Sequence, residues 1–245
     1  MDRMSAGTAW MERQQVALFF GALGVGAATG VGLPNVAGAA GAAVNPVLGL
    51  LLYATFIGVP FSRLRSSLRD GRFLLTLAVL NFAVVPAVAW AVTRLISGER
   101  ALLVGALFVL LAPCIDYVIV FAGLAGGSAS RLLAASPLLM LAQMLMLPLY
   151  LRLFVGSEVA AAVDPRPFAQ ALVLLILLPM AAAALTQFAA SRTRWGSGVH
   201  RTVTGAMVPL MMLTLGCVTA SQIAGVGAHL ESLLRLVPTY VLFVV

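Results

Sequence analysis

Apolar residues in this chain come in long blocks, not in the alternating or 3.6-period stripes of a water-soluble fold. A helix that crosses a hydrocarbon core needs about 20 mostly apolar residues. Eight windows have that character: 16–33, 42–61, 73–95, 101–125, 132–155, 168–190, 202–223, and one that opens near 233. The pattern predicts an all-α, multi-pass membrane protein. The eighth window is still apolar at Val245. At about 1.5 Å per residue it is too short to cross a core about 30 Å thick, so the chain reads as cut inside a helix.

Composition agrees. Of 245 residues, 62% are hydrophobic and 9% charged, against about 25% charged in a soluble domain. All 15 basic residues are arginine. Without a lysine there is no P-loop and no Schiff base to retinal or pyridoxal phosphate. The net charge of +7 is spread over short loops, with no basic stripe interleaved with aromatics, so nucleic acid is not an expected partner. Two cysteines make neither a disulfide framework nor a cysteine-rich zinc site. The chain shows no HExxH, and His200 and His229 fall in loops. It is not read as an enzyme, and no cofactor is expected.

The arginines sort by side. Arg3, Arg13, Arg63, Arg65, Arg69, Arg72, Arg131, Arg192, Arg194 and Arg201 share one side. Arg94, Arg100, Arg152, Arg166 and Arg235 share the other with Glu99, Glu158, Asp164 and Glu231. The positive-inside rule then puts the N-terminus, residues 1–15, in the cytoplasm of a cell-membrane protein. A signal-peptide reading of this end fits less well, because its apolar run is long for a signal core.

Polar residues at depth carry the functional signal. Asp116 is the carboxylate well inside a window, three residues beyond Pro113 at the middle of the fourth. Pro113 has no N–H for the Val109 carbonyl and pushes Ala112 from helical angles, so a helix break is expected there. Non-helical backbone at this depth is tolerated where it lines a cavity, and transporters build sites this way. In an unbroken helix Cys114 and Asp116 would point about 200° apart; a break lets both face one cavity. Asn81, beside Pro86 in the third window, and Gln143 in the fifth are further polar positions. Thr186 and Gln187 in the sixth are read as inter-helix hydrogen-bonding residues. Asn45-Pro46 reads as a helix start or cavity mouth. Residues 125–130, with Ser128 and Ser130, read as a flexible turn whose hydroxyls are within reach of a cation. Gly26 and Gly30 form a small-xxx-small packing face. Residues 46–52 of the second window resemble 209–215 of the seventh, five windows on, an inverted-repeat relation.

The run 111–121, Leu-Ala-Pro-Cys-Ile-Asp-Tyr-Val-Ile-Val-Phe, with Gly123-Leu124-Ala125-Gly126-Gly127, resembles the arsenical-resistance permeases of the bile acid/sodium symporter superfamily. Asn45-Pro46 with residues 51–56, residues 137–143 and residues 147–150 are similar to the second and fifth helices of that family. The resemblance spans residues 16–155 well and the rest in hydropathy. It implies ten helices in two inverted five-helix repeats, here 16–155 and an incomplete 156–245, with the fourth and ninth helices broken at the midplane. It also implies an important cysteine in the fourth helix, matching Cys114. Asp116, and a proline before the cysteine where the arsenite permeases have a basic residue, depart from that pattern.

The leading expectation is a secondary transporter, a proton-coupled exporter of arsenite or a related metalloid oxyacid. Pro113, Cys114, Asp116, Tyr117, Asn81 and Gln143 would form the solute site. Cys114 is the soft ligand for the metalloid, and Asp116 carries the coupling proton. One alternative is sodium-coupled uptake of a bile-acid-like or other organic anion, with Asp116, Ser128, Ser130 and Gln143 supplying oxygens. Another is a non-transporting membrane sensor or assembly subunit.

Overall fold

The computed structural model describes residues 7, 10–59, 70–112, 122, 126–156, 165–190, 198–199, 202–203 and 205–244. Among these the chain is helical, with no strand. The helices are α1 (Gln15–Gly32), α2 (Pro34–Ile57), α3 (Gly71–Ile96), α4 (Arg100–Leu110) and α5 (Ala129–Phe154). Next come α6, made of Pro165–Ala171, Leu172–Leu177 and Leu178–Ala190, then α7 (Met207–Ala228), α8 (Leu230–Leu234) and α9 (Val237–Val244). Six of the described helices, α1, α2, α3, α5, α6 and α7, are long and apolar enough to cross a membrane. Their outward residues are apolar: Phe20 is 70% exposed, Leu185 68% and Leu75 66%. So much exposed hydrocarbon is tolerable only against lipid. The all-α membrane class read from the sequence is what the structure shows.

The boundaries differ most at α2. Its expected start at Asn45-Pro46 is corrected: the helix begins at Pro34, in the first turn where a missing N–H costs nothing. The alanine-rich run 37–43 then carries it through Pro46.

Two compact units divide the chain: Met1–Gly58 with Val173–His229, and Val59–Leu172 with Leu230–Val245. In the first, α7 packs against both α1 and α2, and α6 packs against α2. The α1–α7 seam is backbone-close. A Cβ on Gly26 would lie 2.6 Å from the Gly216 carbonyl oxygen, and one on Gly30 would strike the Ala220 carbonyl. The α2–α6 seam is polar instead. Tyr53 and Thr186 hydroxyls are 2.8 Å apart. Gln187 Nε2 donates to the carbonyls of Ile57 (2.9 Å) and Phe56 (3.3 Å), which lie in the last turn of α2, where carbonyls have no helical donor.

In the second unit, Leu103, Leu107 and Leu111 along one face of α4 pack with Ala89 of α3 and Leu147, Tyr150 and Leu151 of α5. Ile96, Ala106 and Leu236 form a smaller cluster. Asp70 caps α3, accepting from the Phe73 N–H through Oδ1, while its Oδ2 pairs with Arg131 Nη1 at 2.9 Å. Glu99, before α4, pairs with Arg235, before α9. The first pair joins the starts of α3 and α5, and the second those of α4 and α9. Each therefore joins residues that the arginine count puts at the same membrane end.

Candidate functional site

The break expected in the fourth span is present on the described side. α4 stops at Leu110 after 11 residues, about 16 Å at 1.5 Å per residue, or half of a core about 30 Å thick. The next residues show why. Leu111 N–H still bonds Leu107 at 2.9 Å, but the Val109 carbonyl, which in a continuous helix would need an N–H from Pro113, receives among the described residues only a long 3.4 Å bond from Ala112. Past the gap, Gly127 N–H reaches back to the Ala122 carbonyl at 2.7 Å, and Gly126 has φ 78°. This six-to-one bond around a left-handed glycine closes a turn of the kind found at helix ends. Residues 126–128 are non-helical and α5 opens at Ala129, so the described middle of the segment read as a turn is one.

Pro113, Cys114, Asp116 and Tyr117 lie outside the described residues. Ser128 is exposed at the N-cap of α5, and its carbonyl accepts from the N–H groups of Arg131 and Leu132. Ser130 follows in the first turn. Gln143 is buried in α5, 6% exposed. It lies one turn before Leu147, which packs in the same cluster as Leu111 at the end of α4. Ser136, Gln143 and Tyr150, all buried, recur every seven residues down one face of α5.

Asn81 sits in a π-bulge, Leu80–Val84, which Val85 separates from Pro86. π-Bulges concentrate at functional sites. The half-buried Asn81 donates from Nδ2 to the Leu77 carbonyl at 2.9 Å. Pro86 leaves the Phe82 carbonyl without its usual donor, and the Tyr150 hydroxyl fills the vacancy at 2.9 Å. Ser136 does the same for the Leu133 carbonyl, which Pro137 cannot serve, at 2.8 Å. The sequence reading did not single out Tyr150; its signal was the proline four residues after a carbonyl in a neighbouring span. Cys217 on α7 is partly buried with a free thiol, and among the described residues no three His, Cys, Asp or Glu side chains come together as a metal site.

The model of the Sodium Bile acid symporter family matches residues 45–229. The chain belongs to that family. The match runs from the middle of α2 past the end of α7; it takes in 156–229, where the sequence showed likeness in hydropathy alone, and leaves out 16–44. No curated protein matches the chain. Membership and the apolar spans make this an integral membrane transporter of the bile acid/sodium symporter kind, with a small solute and a coupling ion as its partners. The arsenical-resistance branch is a finer assignment than the family match carries.

Proposed function

We propose that this symporter-family protein is a secondary transporter that exports arsenite or a related metalloid oxyacid by proton coupling. The observation that carries this reading is the half-membrane α4, which ends where Pro113, Cys114 and Asp116 follow. A thiolate at a mid-membrane break suits a soft trivalent metalloid. Asp116 carries the coupling proton. Pro113 makes the break, and Tyr117, Asn81 and Gln143 complete the solute's surroundings.

The two-repeat organisation, 16–155 and 156–245 after the cytoplasmic residues 1–15, has support of its own. The packing order α1–α7–α2–α6 is unchanged when first and sixth, and second and seventh, helices are exchanged. Aligning Pro46 with Pro209 sets Tyr53 against Gly216 and Ile57 against Ala220. Those are the positions where the outer helices attach: Thr186 and Gln187 of α6 on Tyr53 and Ile57, Gly26 and Gly30 of α1 on Gly216 and Ala220.

The test is arsenite accumulation in everted vesicles under an imposed proton gradient, which Cys114→Ser is expected to abolish. Undiminished accumulation by that variant removes the thiol role. A second reading, sodium-coupled uptake of an organic anion, is favoured by the family to which the chain belongs. Asp116, Ser128, Ser130 and Gln143 would then supply sodium's oxygens. Sodium-dependent uptake of a labelled bile acid or keto acid that survives Cys114→Ser would select it.

A further inference from the structure

The π-bulge of α3 leaves a carbonyl free. Val85 N–H, which serves Asn81 in a regular α-helix, bonds Leu80 instead, and the next residue, Pro86, has no N–H to offer. The Asn81 main-chain carbonyl therefore has no donor from its own helix. Its side-chain Nδ2 is committed to Leu77, so Oδ1 is a second open acceptor on the same residue.

An unmade hydrogen bond inside a membrane is costly, so the bulge needs a reason to persist, and counting carbonyls gives one. With the bulge open and Tyr150 bonded to Phe82, only the Asn81 carbonyl lacks a donor among the three that the bulge and Pro86 disturb. Closing the bulge to α-helix returns Val85 N–H to Asn81, but the turn of the bulge residues that goes with it carries the Phe82 carbonyl off the Tyr150 hydroxyl and leaves it facing Pro86. The two states tie at one orphan each. Without the Tyr150 hydroxyl the open state has two orphans and the closed state one, so the helix closes. With an N–H at position 86 the closed state has none.

We propose that Tyr150 is a positioning residue that holds this bulge open, so that Asn81 presents its carbonyl and Oδ1 as paired acceptors to the O–H groups of a neutral oxyacid. This rests on the placing of Asn81 in the solute site above. Closing the bulge changes the register by one residue and turns Asn81 by about 100° relative to the rest of α3.

The experiment uses the full chain in lipid nanodiscs with Cys114→Ser, Cys217→Ser and Asn81→Cys. The readout is the labelling rate of residue 81 by a water-soluble methanethiosulfonate. Tyr150→Phe keeps the ring, which stacks on Phe154 with centroids 5.9 Å apart, and is expected to slow labelling at least tenfold. Pro86→Ala is expected to do the same, and the two together to slow it no further. An unchanged rate in a folded Tyr150→Phe protein overturns the positioning role. Arsenite is the probe for the other half, assayed by accumulation in everted vesicles of protein that keeps both Cys114 and Asn81. A KM for arsenite raised at least tenfold by Tyr150→Phe supports the oxyacid. An unchanged KM beside slowed labelling overturns the oxyacid and upholds the lock.

Discussion

Alanine at Gly30 and at Gly24, both on α1, should move stability in opposite directions. Gly24 has nothing within 4 Å of the place its Cβ would take. Gly24→Ala should therefore be neutral or gain up to about 1 kcal/mol from helix propensity. At Gly30 the new methyl would meet the Ala220 carbonyl, the Ala220 Cα at 2.9 Å and Ile223 Cγ2 at 2.6 Å. Two of those atoms are backbone and cannot turn aside. Ordinary contact begins near 3.4 Å, so α1 and α7 must part by roughly the shortfall, on the order of 1 Å, which also forfeits dispersion contacts along the seam. Overpacking of this kind costs about 1–3 kcal/mol. Because backbone meets backbone, the upper part of that range applies. After the propensity gain the net loss is about 2 kcal/mol, a fall in melting temperature of about 4–8 °C for a chain of this size. Thermal unfolding of the detergent-purified variants reads it directly. Adding Gly26→Ala should cost less than its single effect, because one separation relieves both clashes. A Gly30→Ala protein that melts within a degree of Gly24→Ala refutes the close seam.

Other outcomes follow from single contacts. Gln187→Leu should lower stability by about 1 kcal/mol, seen in the same melting assay, because two end-of-helix carbonyls lose their donor. Asp70→Ala should cost about 1 kcal/mol through the lost cap, whereas Arg131→Ala should cost under about 0.5 kcal/mol, since that pair is exposed. Hydrogen exchange at residues 71–74 should quicken in the first and hardly in the second. Gly126→Ala places a side chain at φ 78° and should cost about 1–2 kcal/mol, with faster exchange at the Gly127 amide.

Spans were legible because bilayer thickness imposes one length on each, and a block of apolar residues states it without tertiary context. The break in the fourth span was legible for a related reason: a proline always removes the same N–H, so the fate of the Val109 carbonyl could be read from Pro113. The α2 start was not. Pro46 suits a first turn and a helix interior alike, and the choice depends on whether the alanine run upstream packs as helix. The chemistry of the seams was only half visible. Gly26 and Gly30 announced a close contact through their spacing, but nothing local told which helix they meet. Thr186 and Gln187 were read as hydrogen-bonding residues, and their partners, Tyr53 and the end of α2, lie 130 or more residues away. Tyr150 was missed because its role belongs to a proline in another helix, and the π-bulge at Asn81 was missed because it depends on that hydroxyl being there.

The account turns on whether the break in the fourth span opens to water. The most direct test is labelling of Cys114, in a Cys217→Ser background, by a membrane-impermeant maleimide in sealed vesicles. The account predicts that Cys114 labels in the folded protein and that arsenite slows the reaction. Labelling that appears only after denaturation would contradict it and leave Cys114 as a buried residue of a helix that carries no solute.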